Sequence, residues 1–240
     1  MRRLCSILAI SVAATSVLAQ SKTVYEMRIN GNFVGTVTNI VRQVDFEGQK
    51  CTKFESLTEL MGSPSVAAGT PMRILRAEYE SWVAPDGRPI RTVSRIGEWA
   101  NRLVCETSVT GNRVKTMTSR GDQAGISFTD LTPAEAQRIR GTLDGVLEDG
   151  VPKQEIQRSL VIDPLTGKPK ESVRTVSGKK TIVHAGRSVE TTVIESALYE
   201  NSSVRRMTLY FDSAGRLLLA QGDGKVELIR LSDTEEKSGD

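Results

Sequence analysis

Turn signals are what most constrain this chain. Short segments of alternating apolar and polar residues follow one another from residue 24 to residue 231, and nearly every gap between them holds a residue pair suited to reversing the backbone. In the first half the segments are 24–29, 33–44, 51–60, 72–83, 90–96, 102–109 and 113–118. They are closed by turns such as Asn30-Gly31-Asn32, Glu47-Gly48, Pro85-Asp86-Gly87 and Thr110-Gly111-Asn112. These supply the positive-φ positions that tight hairpins demand, so the half reads as an antiparallel meander.

One helix start interrupts the strands. Thr132 stands as N-cap, Pro133 at the first helical position and Glu135 where a capping box needs it. Ala136, Ile139, Leu143, Val146 and Leu147 then share a face at 3.6-residue spacing, which predicts an amphipathic helix over 133–149, ended by Gly150 and Pro152. Gly141 and Gly145 each cost about 1 kcal/mol relative to Ala, so packing must hold this helix. Strand patterns resume at 156–162, 171–176, 180–184, 188–198, 204–211, 217–221 and 226–231. Their turns are Asp163-Pro164-Leu165-Thr166-Gly167, Ala185-Gly186, Asp212-Ser213-Ala214-Gly215 and Gly222-Asp223-Gly224. Residues 232–240 are polar without periodicity and read as a frayed tail.

The expected fold is mainly β: a curved antiparallel sheet or half-barrel of two meander halves, with one amphipathic helix between them. Residues 20–231 form one β-rich domain in this reading. The halves 24–120 and 156–231 echo one another, because Tyr79 to Ile90 can be laid over Met207 to Leu218, matching an aromatic, a Gly-Arg turn and an apolar return strand. A duplicated unit and the ordinary likeness of two hairpins both account for the echo.

The first residues speak to compartment. Arg2 and Arg3 precede an apolar run from Leu4 to Val12, and Val17-Leu18-Ala19 offers small residues at a cleavage site, so 1–19 reads as a signal peptide with the mature chain starting at Gln20. The run is too short for a permanent membrane span, and Cys5 lies too early to be a lipidated cysteine. The expected location is the periplasm or the cell exterior. Without Arg2 and Arg3 the formal charge of +3 falls to about +1, with signs interspersed, which argues against a nucleic-acid partner. A transmembrane barrel is disfavoured too, since Arg76, Glu78 and Glu80 share one face of a strand whose other face carries Arg73.

Cys51 and Cys105 are the cysteines left after cleavage, and an even count in an oxidising compartment predicts a disulfide; the alternative is two buried free thiols. A bridge closing a loop of this length would stabilise by about 4 kcal/mol. His184 is the single histidine, which leaves no imidazole pair for a metal site, and no nucleophile elbow, CxxC or phosphate loop occurs. No catalytic residue, metal or cofactor is expected. Trp82 and Trp99 flank one return strand and are expected in the core.

Long antiparallel strands, the hairpin Pro85-Asp86-Gly87-Arg88 and the closing run Tyr210 to Leu218 give the chain, over roughly residues 24 to 231, a resemblance to bacterial periplasmic proteins related to the lipoprotein carrier LolA and to similar half-barrel families. The resemblance implies a curved sheet whose apolar concave face holds acyl chains. It carries over no individual residue, and a single helix departs from the several that the carriers place in their cavity.

The functional expectation is an exported, non-enzymatic binding protein that holds a lipid or other apolar ligand. Ile139, Leu143, Val146 and Leu147 of the helix, with Met207, Leu209 and Phe211 of a strand, are the candidate lining residues; the same seven also suit a plain hydrophobic core. The alternative is an interaction module that docks another envelope or surface protein through a strand edge, which a solid core and a long open edge would favour. A hydrolase built from scattered carboxylates is the distant third.

Overall fold

The computed structural model describes residues 20–61, 74–97, 102–140, 151, 155–163, 166–200 and 203–236. The strands of the first half are β1 (Gln20–Ile29), β2 (Asn32–Phe46), β3 (Gln49–Met61), β4 (Ile74–Val83), β5 (Pro89–Ile96), β6 (Leu103–Thr110), β7 (Arg113–Arg120) and β8 (Gln123–Asp130). After α1 (Pro133–Arg138) come β9 (Ile139–Arg140), β10 (Ile156–Ile162), β11 (Pro169–His184), β12 (Arg187–Glu200), β13 (Ser203–Phe211), β14 (Leu217–Gly222) and β15 (Val226–Glu236). All fifteen join one sheet in the order β8-β7-β6-β5-β4-β3-β2-β1-β15-β14-β13-β12-β11-β10-β9. Every pairing is antiparallel except β9 with β10, and among the described residues no ladder joins β8 to β9, so the sheet curves without closing.

The turn chemistry read from the sequence is what the backbone uses. Asn30 and Gly31 have φ of 53° and 78°, and Glu47 and Gly48 have 53° and 80°, the pairing of positive values that a two-residue hairpin requires. The β4–β5 and β13–β14 hairpins are built alike. Ala84 donates to the Arg88 carbonyl while Gly87 donates to Ala84, and Asp212 donates to Arg216 while Gly215 donates to Asp212. Each hairpin carries a register shift at the same place, between Trp82 and Val83 and between Tyr210 and Phe211.

Four expectations are corrected here. The helix stops after Arg138, where Ile139 turns to φ −66°, ψ 134° and pairs in parallel with Leu160 instead. A β-branched side chain that is 1 % exposed gains more from that sheet pairing than from a helix about to meet two glycines. Leu143, Val146 and Leu147 lie outside the described residues. Second, β8 is a strand that the segment pattern passed over. Third, the tail is part of β15 as far as Glu236, because β1 supplies a partner for it from Gln20↔Glu236 onward. Fourth, 171–176 and 180–184 form one strand, bent at a register shift between Val176 and Gly178. The capping box itself stands: Thr132 accepts from the Glu135 N–H, and the Glu135 carboxylate accepts from the Thr132 N–H at 2.8 Å.

The two faces differ sharply. Outside, β2 to β6 carry a lattice of ion pairs, among them Arg42–Glu55 at 2.9 Å, Lys53–Glu80 at 3.3 Å, Arg102–Glu78 at 2.7 Å and Arg91–Glu106 at 3.0 Å. Trp82 lies in this outer layer rather than in the core, stacked on Phe46 at 5.3 Å with Lys53 4.7 Å from its ring; Trp99 is outside the described residues. Inside, one cluster joins Tyr25, Val37, Ile194, Leu209, Phe211, Leu217, Ala220 and Leu228. A second joins Val114 of β7 with Leu131, Ile139, Leu160 and Ile162, so the two ends of the sheet curl toward each other.

The turn between β10 and β11 seats in that curl. The Thr116 hydroxyl donates to the Gly167 carbonyl at 3.2 Å, over a floor of buried Thr92, Thr107 and Thr116 in which the Thr92 and Thr107 hydroxyls bond each other. Gly167 has φ of 65°, and a Cβ there would lie 2.3 Å from the Thr116 side chain. Gly167→Ala is therefore expected to destabilise by about 3 kcal/mol, read from urea unfolding. At the β13–β14 turn, burial works to raise the Asp212 carboxyl, but hydrogen bonds from the Arg216 backbone and guanidinium and the Ala214 N–H outweigh it and hold it below the usual carboxylate range. A lowered folded pKa means stabilisation that is present above the unfolded value of about 3.9 and lost as pH falls through the folded one. Asp212→Asn should cost about 1 kcal/mol at neutral pH and flatten the loss of stability below about pH 4.

Candidate functional site

The residues expected to line a cavity are packed in two separate places. Leu209 and Phe211 are 5 % and 1 % exposed inside the first cluster, with Met207 packed against it. Ile139 belongs to the second cluster, with Val114 and Leu160. The period of two along β13 accounts for the first group, since Met207, Leu209 and Phe211 all point inward and meet Ser196, Ile194 and Thr192 of β12 across the ladder. All four described side chains are thus core contacts.

The inner wall changes character along the sheet. From β11 round to β1 it is apolar, in a continuous row of Val176, Ile194, Leu209, Ala220, Leu228 and Met27. From β4 to β7 it carries small polar groups instead: Ser81, Thr92, Ser94, Thr107 and Thr116, all buried. Asp163 is buried beside this polar wall and ion-paired with Lys170. Among the described residues Arg230 is a cation buried within the apolar part, 7 % exposed, donating to the Leu217 carbonyl at 3.1 Å and the Thr23 hydroxyl at 3.5 Å.

Cys51 and Cys105 are both buried and both free, which corrects the expected disulfide. They sit on β3 and β6, three strand spacings or about 14 Å apart, whereas a bridge needs Cα atoms within about 7 Å. They also face opposite ways: Cys51 alternates with Lys53 and Glu55 of the outer face, Cys105 with Thr107 of the inner one. Burial pushes the Cys105 thiol up to about 11, with the Asp163 charge adding to the rise, and burial raises Cys51 as well. His184 ends β11 opposite Arg187, at a hairpin tip. Among the described residues, no three His, Cys, Asp or Glu side chains group as metal ligands.

What stands open is β8. Among the described residues it is the terminal strand of the sheet, paired with β7 alone, and seven of its eight residues are exposed. On the outer face Ile126 is 64 % and Phe128 60 % exposed, next to Met117 of β7. The Arg113 guanidinium lies 5.8 Å from the Phe128 ring and holds Asp130 at 2.6 Å, and that hydrogen bond keeps the Asp130 carboxyl below its ordinary range. A hollow of about 290 Å³ opens beside the turn, between Leu103, Thr118, Arg120 and Gln123. The β7–β8 turn is two residues long and closed by the pair Arg120↔Gln123. The closing pair of such a hairpin is hydrogen-bonded, so the N–H and C=O groups of Ala124, Ile126, Phe128 and Asp130 point away from β7 to the free edge. The signal for this strand was present in the sequence: the Gly121-Asp122 turn followed by Ala124, Ile126 and Phe128 at period two.

Comparison with known proteins adds a fold and no more. No protein-family model matches the chain, and no curated protein matches it. Among solved structures it is similar to the crystal structure of a β-barrel-like protein of a domain of unknown function, DUF1849, from Brucella abortus. The TM-score is 0.56 at 11 % identity, over 92 % of this chain and 99 % of that one.

The thiols give a direct check on the paired strands. In the native protein Cys51 and Cys105 should resist a thiol-specific reagent at pH 8, and on denaturation they should react to the same extent with and without prior reduction.

Proposed function

We infer that this chain is an exported, non-enzymatic binding protein that docks an extended segment of a partner protein along β8. The observation that carries the reading is the combination on one strand of unpaired backbone groups and two large exposed apolar side chains, Ile126 and Phe128. Proteins ordinarily blunt such an edge with charge, proline or a cover, because it templates strand addition. Here the outer face of β2 to β6 is a lattice of paired charges, and the apolar side chains stand at the edge where an incoming strand would align. Main-chain bonds would supply affinity, while Ile126 and Phe128 would read alternate side chains of the guest. The signal-like residues 1–19 support the export part of the reading.

A photoreactive residue at position 128 is the test. It should crosslink a discrete partner in cells, while the same residue at Val183, also exposed, should not. Ile126→Lys and Phe128→Lys should abolish capture while changing stability by less than about 0.5 kcal/mol. Equal capture from both positions, or capture that survives the lysines, would overturn the reading.

A second reading, an apolar ligand held on the inner face as the lipoprotein-carrier resemblance implies, is supported by the long apolar row from Val176 to Met27 with the buried Arg230 cation within that wall. Native mass spectrometry of gently purified protein would return a co-purifying mass if it holds, and a clean apo mass if it does not.

A further inference from the structure

We propose that the strand best fitted to β8 is another β8, so that two copies of the chain join edge to edge in an antiparallel, two-fold dimer. This rests on the reading of β8 as a docking edge and names its occupant. Strand register selects this occupant. A two-fold axis through the edge must pair outward-pointing residues with outward-pointing residues, and among the registers this allows, those centred on Ile126, on Ser127 or on Phe128 bring both Ile126 and Phe128 into the pairing with the outward residues up to Asp130. Centred on Ile126, the strands bring Asp122 opposite the partner's Asp130, a like-charge pair. Centred on Phe128, they set Ile126 opposite the partner's Asp130. Centred on Ser127, they set Ile126 against the partner's Phe128 twice over, on the face where both are exposed.

The other face suits the same register. There Ser127 meets the partner's Ser127, and Gly125 meets the partner's Thr129. These are the close, non-hydrogen-bonded pairs of the ladder, and small side chains let the backbones approach. Among the described residues a Cβ at Gly125 would find only the Thr118 hydroxyl, at 3.4 Å. Asp130, held by Arg113 of its own chain at 2.6 Å, lies opposite the partner's Ala124 in this register and meets no acidic group. The dimer covers all four exposed apolar side chains at once, and its rotation closes, so assembly stops at two.

Sedimentation equilibrium and an engineered crosslink test this on the full chain. Wild-type protein should show a reversible monomer–dimer equilibrium, and Ile126→Lys or Phe128→Lys should weaken it by more than about tenfold with an unchanged thermal unfolding curve. In the Ser127-centred register the two Ser127 Cα atoms lie about 4.5 Å apart, within reach of a disulfide. Ser127→Cys should therefore form a covalent dimer on mild oxidation, while Thr129→Cys and the wild type, which carries the same native cysteines, should not. A monomeric wild type with no Ser127→Cys crosslink overturns the dimer, as does a Thr129→Cys crosslink of equal yield or a dimer that survives both lysines. The docking reading is judged separately: with the dimer absent, capture of a different protein by the photoreactive residue at 128 keeps that reading and overturns only the dimer, and no capture overturns both.

Discussion

The pairing of the chain's first and last described strands is what the rest of the structure depends on. β1 lies between β2 and β15 in the middle of the sheet, paired on both sides from Ser21 to Ile29. Without it the two meanders would be separate sheets with four edges. With it they become one curved wall, and the edges that remain are β8 and β9, which follow each other closely in sequence and lie at opposite ends of the strand order. The main core is built on this seam, since Tyr25 and Val37 of the first meander pack with Leu228, Ala220, Leu209 and Ile194 of the second. Contacts so distant in sequence carry a large loop-closure cost, so this seam is expected to form late in folding.

Curvature then sets what each end of the sheet can do. Val114 reaches Ile139, Leu160 and Ile162, and Gly167 settles on Thr116, so the first and last strands approach without joining. Joining would need β9 to be long enough to pair with β8, and β9 is two residues long, committed to Leu160 and Val161 of β10. The curl therefore ends in one well-packed inner contact and one unsatisfied outer edge. Large apolar side chains that β10 buries as Leu160, Val161 and Ile162 face solvent on β8 as Ile126 and Phe128.

Much of the fold was legible in the sequence because antiparallel hairpins are local. Asn30-Gly31, Glu47-Gly48 and Ala185-Gly186 mark turns by backbone preference alone, and the alternation on either side gives the strands. The matching hairpins at Ala84–Arg88 and Asp212–Arg216 were visible for the same reason, as a Gly-Arg step after an aromatic strand. The candidate site was less legible. Met207, Leu209 and Phe211 announce an inward face but not whether that face is filled, which depends on Ile194, Leu228 and Tyr25 from other strands. Cys51 and Cys105 read as a pair by count, while their separation and opposite facing depend on strand order and parity.

The period of the strands, the turns between them, the start of α1 and the sign of each face were set locally, because these depend on residues within a few positions of one another. Only the tertiary structure decided where α1 ends, since Ile139 leaves the helix for a parallel partner at Leu160. It decided likewise that 232–236 is strand, because β1 is there to pair with it. And it decided that Ile126 and Phe128 face solvent on a terminal strand rather than the interior: a strand's own residues encode its two faces, but which strand is left without a neighbour is a property of the whole sheet.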